Sequence, residues 1–225
     1  VEFKQKASRE VANVFDVYSS QLLVNNDAVG HGTHVAATVG GDNVGVSPDT
    51  NIYGVRVLDA QGSGDDDAIL QGLNFILKWH TSHNKPPTVV SMSLGGDCFS
   101  LFQCAKDALV LATQLLIKQG ISVTVAAGNS KCDSCLQTPA FAPNAITVGA
   151  SGKTDDAALF SDFGKCLDIY APGVAIKSAC AESMCPTGRE KAYVELSGTS
   201  MATPTVAGVV TQIQEFLKSR GEPVG

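Results

Sequence analysis

The chain alternates between two hydrophobic rhythms. The runs NIYGVRVL (51–58), TVVSMS (88–93), ISVTVAA (121–127) and AITVGA (145–150) are short and densely apolar, the pattern of strands buried on both faces. Between them the spacing turns helical. Over 65–79 three aspartates precede Ile69, Leu73, Ile76 and Leu77, and acids suit the positive end of a helix. Over 103–119 Ala105, Ala108, Leu109, Ala112 and Leu116 share one face, until Lys118, Gln119 and Gly120 stop the pattern. A last helix is predicted from near Ser200, with Val206, Val209, Val210, Ile213, Phe216 and Leu217 at helical spacing and Lys218, Arg220, Gly221 and Pro223 at its end. Pro204 is tolerated there because a first helical turn needs few backbone donors. Strands alternating with helices predict an α/β fold: a mostly parallel sheet with helices on both faces. In such folds working groups gather where strands end on their carboxyl side, and SLGG (93–96) and AAGN (126–129) both fall there.

Composition narrows the class. The 225 residues are 44% hydrophobic and 17% charged, enough for one sizeable core, and no Pro/Gly/Ser-rich linker divides them, so a single domain over 1–225 is expected. The net charge of -6 is spread over short acidic clusters with no basic block, which argues against nucleic acid. ALVLATQLLI (108–117) is too short and interrupted for a membrane span, and VEFKQKAS is no signal peptide. Seven cysteines lean towards an oxidising, extracellular compartment, with one thiol left over. Cys98 with Cys104, and Cys180 with Cys185, are close enough to staple local loops; CDSC (132–135) reads as structural cysteines or, less well, as a redox pair or half a zinc site.

Three stretches ask for one chemical explanation: GHGTHVA around His31, VAAGN ending at Asn129 and SGTSMATP around Ser200. A serine hydroxyl is a poor nucleophile until a base takes its proton, and histidine is the usual base near neutral pH. Ser200, between Gly198 and a small-residue first turn, lets a carbonyl approach free N–H groups at a helix start. Asn129 offers an amide donor at a strand end; with the Ser200 N–H it makes a two-donor hole for a tetrahedral oxyanion. His34, one turn past His31, reads as a packing residue, and His80 and His83 as solvated loop histidines. The aspartates at 65–67 read as a helix start.

These residues, in this order, resemble the subtilisin-like serine proteases, most closely the proteinase K branch. GVSPDTNIYGVRVLDAQGSG, VVSMSLGG, VAAGN, TPAFAPNAITVGAS, CLDIYAPG and SGTSMATP all look like family blocks. The resemblance implies the three-layer subtilisin-like fold and a serine endopeptidase working through an acyl-enzyme, with His31 as general base, Ser200 as nucleophile and Asn129 as oxyanion donor. It also implies that an extended peptide or protein substrate lies between Gln61-Gly62-Ser63 and Ser93-Leu94-Gly95. Ala127 and Gly128 would line a primary pocket favouring apolar side chains. No cofactor is implied for catalysis. A structural calcium on Pro143, Ala145 and Asp168 and a disulfide between Cys135 and Cys166 are implied, leaving Cys132 odd.

The chain departs from the family where the triad acid should be. Glu2, Glu10, Asp16 and Asp27 are the acids before His31, and none stands in an apolar strand ending Asp-Thr/Ser-Gly; Asp16 is the best internal substitute. VEF resembles the family segment that follows this strand, so the strand is expected just before Val1, cut off by nicking or carried on a separate N-terminal segment; that segment or a pro-segment is an expected partner, and the chain also ends earlier after the Ser200 helix than relatives do. Thr205 stands where relatives carry histidine, and Asp66 replaces an aromatic near the fourth substrate subsite. The competing reading of the missing acid is a catalytically silent binding module that keeps the protease fold.

Overall fold

The computed structural model describes residues 2–3, 9–19, 27–181, 184–185 and 193–224; Val1, the first residue of the VEF segment, lies outside them. The elements run β1 (Val11–Asp16), α1 (His31–Gly40), β2 (Ile52–Arg56), α2 (Asp66–Ser82), β3 (Val89–Met92), β4 (Gly96–Asp97), α3 (Leu101–Cys104), α4 (Ala108–Lys118), β5 (Ser122–Ala126), β6 (Gln137–Thr138), β7 (Ile146–Ser151), β8 (Ile169–Pro172), β9 (Ile176–Ala179), β10 (Tyr193–Leu196) and α5 (Thr199–Ser219). Strands β3, β5, β7 and β8 form one parallel sheet in the order β3-β5-β7-β8. Strands β1 and β2 make a separate parallel pair, and β9 with β10, and β4 with β6, are antiparallel pairs.

The sheet divides the core in two, giving the predicted three layers. Because side chains alternate along a strand, Val90, Met92, Val123 and Val125 point to one face, where Ile69 and Leu73 of α2 and Leu109, Val110 and Leu116 of α4 cover them. On the other face Val148, Ala150 and Ala171 meet Ala202 and Val206 of α5. Helix α1 packs beside α5, and Gly208 permits the approach of the following loop: a Cβ there would come within 2.6 Å of Val46.

The four predicted strands are present, but β2 is half-buried throughout rather than covered on both faces. Its partner β1 lies on one side, and its other edge pairs with no described strand. The single helical pattern over 103–119 breaks in two because Asp107 caps α4, accepting the N–H groups of Leu109 and Val110 at 2.9 and 3.2 Å. Asp65 caps α2 in the same way through Ala68 at 2.7 Å, as the aspartate run predicts. His80 is not a solvated loop residue: it lies in α2, 1% exposed, its ring within 3.1 Å of the Thr88 hydroxyl and 3.3 Å of the Gln119 carbonyl. His83 is exposed and stacks on Trp79.

Three disulfides join Cys98 to Cys104, Cys135 to Cys166 and Cys180 to Cys185, and Cys132 is free and exposed. CDSC is therefore neither a redox pair nor half a zinc site, because Cys135 is bound elsewhere. No helix among the described residues is long and apolar enough to cross a membrane.

Candidate active site

Ser200 is the second residue of α5, after Thr199 and behind Gly198, which caps the helix without a side-chain bond. The first-turn N–H groups therefore find partners elsewhere or stay open. Thr199 N–H donates to Asn129 Oδ1 at 2.8 Å and its hydroxyl donates to the same oxygen at 3.0 Å, while Met201 N–H returns to the Gly198 carbonyl at 3.0 Å. The Ser200 N–H lies between these two and donates to no described residue.

Those contacts also set the orientation of Asn129. With Oδ1 accepting two hydrogen bonds from Thr199, the side-chain NH2 is the end left without a partner among the described residues. Asn129 and Ser200 line one cavity of ≈ 350 Å³, together with Leu94, Gly95 and Gly128. The site thus carries two open donors beside a hydroxyl, the arrangement that stabilises charge developing on an attacked carbonyl oxygen.

The nucleophile is clasped to the end of β3. Ser93 Oγ donates to the Ser200 carbonyl at 2.8 Å, and the Ser200 hydroxyl reaches the Ser93 carbonyl at 3.4 Å, a long contact that a better acceptor would displace. No hydrogen bond joins Ser200 to His31 in this structure.

His31 is the first residue of α1, behind Gly30 in a left-handed conformation at φ 85°. Gly40 at the far end of α1 lies against Ile52 at the start of β2, so the helix runs antiparallel to the strand and His31 stands at the strand's carboxyl end. Burial pushes the imidazole below its ordinary value, the Asp27 charge opposes this, and His34 adds to the lowering. Asp27, the nearest acid in the sequence, is committed to the helix: Oδ1 accepts Gly30 N–H at 2.7 Å, and Oδ2 accepts the N–H and hydroxyl of Thr33, each at 2.7 Å. Asp16, the best internal substitute by sequence, does not orient His31 either. It pairs with Arg56 at 3.1 Å and accepts Tyr18 N–H at 2.9 Å. His34 is the packing residue expected, buried, with Nε2 donating to the carbonyls of Ile176 and Val194 at 3.0 and 3.3 Å.

The remaining sequence-predicted residues separate into three groups. Leu94, Gly95 and Gly128 line the Ser200 cavity. Gln61, Gly62 and Ser63 form an exposed turn held by Asp59, whose Oδ1 accepts Gln61 N–H at 2.8 Å and Ser63 N–H at 2.9 Å; Ser63 also lines a second, open cleft of ≈ 370 Å³ with Tyr18. Gly62 faces Val29, just ahead of His31, at 3.5 Å from an added Cβ. Ala127 is corrected: it is fully buried, its N–H bound to the Val148 carbonyl at 3.0 Å, and Ala126 lines the cavity instead. Ser93 serves the wall through its bond to Ser200 rather than lining the space itself.

Three lining residues fall outside the motifs above, Asp97, Ser130 and Gln137, and they add polar groups to the cavity wall. Asp97 directly follows SLGG, a signal that could have been used. Gln137 is brought to it only by the antiparallel pairing of β4 with β6, which sets Asp97 opposite Gln137.

A model of the subtilase family matches residues 5–223. The chain is 44% identical over 182 residues to an extracellular serine proteinase of Thermus sp. (strain Rt41A), an alignment covering 81% of this chain and 40% of that protein. It is 42% identical over 186 residues to Proteinase T of Parengyodontium album, covering 82% of this chain and 58% of the relative. The chain thus spans only about two-fifths to three-fifths of these curated relatives. A crystal structure of a cold adapted subtilisin-like serine proteinase superposes with a TM-score of 0.77 at 38% identity, covering 93% of this chain and 68% of that one.

Proposed function

The chain belongs to the subtilase family, and from that premise we propose that it is a secreted serine endopeptidase hydrolysing peptide bonds through an acyl-enzyme. The observation that carries the reading is the Thr199–Asn129 contact, which leaves the asparagine NH2 and the Ser200 N–H as the open donors of one cavity. In the proposed sequence His31 removes the Ser200 proton, Oγ attacks the scissile carbonyl, and the oxyanion is held by Ser200 N–H and Asn129 Nδ2. His31 then protonates the leaving amine, and water hydrolyses the ester by the same route in reverse. A depressed imidazole value favours the neutral base that the first step needs. The substrate runs between the Gln61–Ser63 turn and Ser93–Gly95, and the small walls at Ala126 and Gly128 admit an apolar stem.

The acid that orients His31 belongs, on this reading, to a strand seated between β2 and β3. Neither strand is paired on that side among the described residues, yet α2 covers both: Gly72 packs on Val55 and Val57, while Ile69 and Leu73 share a cluster with Val90 and Met92. Such a strand would end between His31 at the carboxyl end of β2 and Ser200 at the carboxyl end of β3.

A structural calcium would be held by the carbonyls of Pro143 and Ala145 and by Asp168. The donor set is oxygen only, which suits that ion. Asp168 Oδ2 accepts Thr147 N–H at 2.8 Å, bringing the carboxylate beside the 143–145 turn, while Oδ1 accepts nothing from the described residues. The ion would brace β7 and β8 and take no part in the chemistry. Chelation is expected to lower the Tm, and added calcium to restore it.

The reading is tested by exposure to a fluorophosphonate followed by peptide mapping. The adduct is expected on Ser200 and absent from Ser200→Ala. Equal labelling of both proteins contradicts the reading and favours a silent binding module.

A further inference from the structure

The cavity carries charge that acyl transfer does not use. Asp97 lines it and is exposed to it, with Oδ1 accepting Gln137 Nε2–H at 2.7 Å and Oδ2 left open. A second carboxylate stands behind Gly128. Asp162 is 0% exposed; its Oδ1 accepts the N–H groups of Ser130 and Cys132 at 2.8 and 2.9 Å, and its Oδ2 has no partner among the described residues. That orphan oxygen lies directly against Gly128, where an added Cβ would meet it at 2.1 Å. Gly128, at φ 113°, leaves the place of its side chain to Asp162 Oδ2, so the carboxylate packs on the backbone of a residue that lines the cavity. Among the described residues no Lys, Arg or His lines the cavity to offset these two charges.

A buried carboxylate oxygen without a donor is unfavourable, and a cation brought close relieves it. The cavity is shaped for a cation on a long stem. Gly95, Gly96 and Ala126 give small walls on which methylenes can lie, while the polar end meets the charged head. The hydrogen bond from Gln137 fixes Asp97, so its free oxygen is held rather than swinging into water. Asp107, a third carboxylate nearby, is already engaged by Thr138 Oγ1 and by the start of α4, so it supplies only background potential.

We propose that this pocket selects a lysine or arginine side chain on the acyl side of the scissile bond, with Asp97 as the specificity-determining residue and Asp162 reinforcing it through Gly128. The proposal rests on the acyl-transfer reading above, and its test separates the two.

The purified protein is offered tetrapeptide p-nitroanilides that differ only in the residue before the scissile bond: Lys, Arg, Leu, Phe or Glu. In parallel, equilibrium binding of benzamidine, an amidinium probe that needs no catalysis, is measured by calorimetry. The expected result is kcat/KM for Lys and Arg at least about tenfold above Leu and Phe, the scale of an ion pair in a partly desolvated cleft. Asp97→Asn is expected to lower the Lys-to-Leu ratio about tenfold. That ratio is independent of how much of the variant is folded. Preference for Phe or Leu, with a ratio unmoved by Asp97→Asn, overturns the proposal and leaves the peptidase reading standing. If no peptide is cleaved but benzamidine binds and Asp97→Asn weakens it, the peptidase reading falls and the pocket stands. Failure of benzamidine to bind, with no basic preference, overturns the pocket.

Discussion

The two halves of the cleft are built differently. The Ser200 half stands on the continuous sheet β3-β5-β7-β8, and each of its groups is fixed by a neighbour: Ser200 by Ser93, Asn129 by Thr199, and Gly128 N–H by the Thr199 hydroxyl at 3.3 Å. The His31 half stands beside the separate β1-β2 pair, and the imidazole is fixed by its helix and by burial, with no carboxylate of the described residues bonded to it. The difference teaches that stabilising an oxyanion needs only backbone and one amide already locked by packing, whereas orienting a base needs a partner on a further element. The acids at hand are spent on structure, Asp27 on a helix start and Asp16 on Arg56.

Removing Asn129 breaks the first half most severely. Asn129→Ala is expected to lower kcat about 10²–10³-fold, the cost of one oxyanion donor in subtilisin itself. KM should change little, since the bond is made to the charged intermediate. Thr199→Val keeps the shape but deletes the hydroxyl donor, freeing the amide to turn; steady-state kinetics should show a loss of about fivefold in kcat, the value of one hydrogen bond of about 1 kcal/mol. Neither substitution should shift the pH midpoint, because neither touches the base.

The second half is read by pH. Burial disfavours the charged imidazole, so the neutral base persists to lower pH; kcat/KM should rise with pH about a midpoint below the ordinary 6.5. A carboxylate brought against His31 by an added strand stabilises the imidazolium and should move that midpoint upward while raising kcat. A midpoint at or above 6.5 without such a strand contradicts the account of the base.

Much of the Ser200 half was legible in the sequence because its signals are local. Dense apolar runs ending in SLGG and AAGN give strands with loops at their carboxyl ends, and SGTSMATP gives a helix start. What stayed hidden was set by distant partners. His80 reads as polar surface until Thr88 and Gln119 close over it. Ala127 and Ala126 differ by one residue and therefore by the face of the strand, which pairing with β7 decides. Strand β1 is half-exposed along its whole length, so VANVFD lacks the apolar density of the central strands, and the β4-β6 contact that joins Asp97 to Gln137 spans forty residues of sequence.

The most direct test is a crystal structure of the protein phosphonylated on Ser200. The account predicts the phosphoryl oxygen about 2.7–3.1 Å from both Ser200 N and Asn129 Nδ2, with Asn129 Oδ1 still on Thr199. A phosphoryl oxygen turned to solvent, or an asparagine amide turned away from it, would contradict the account.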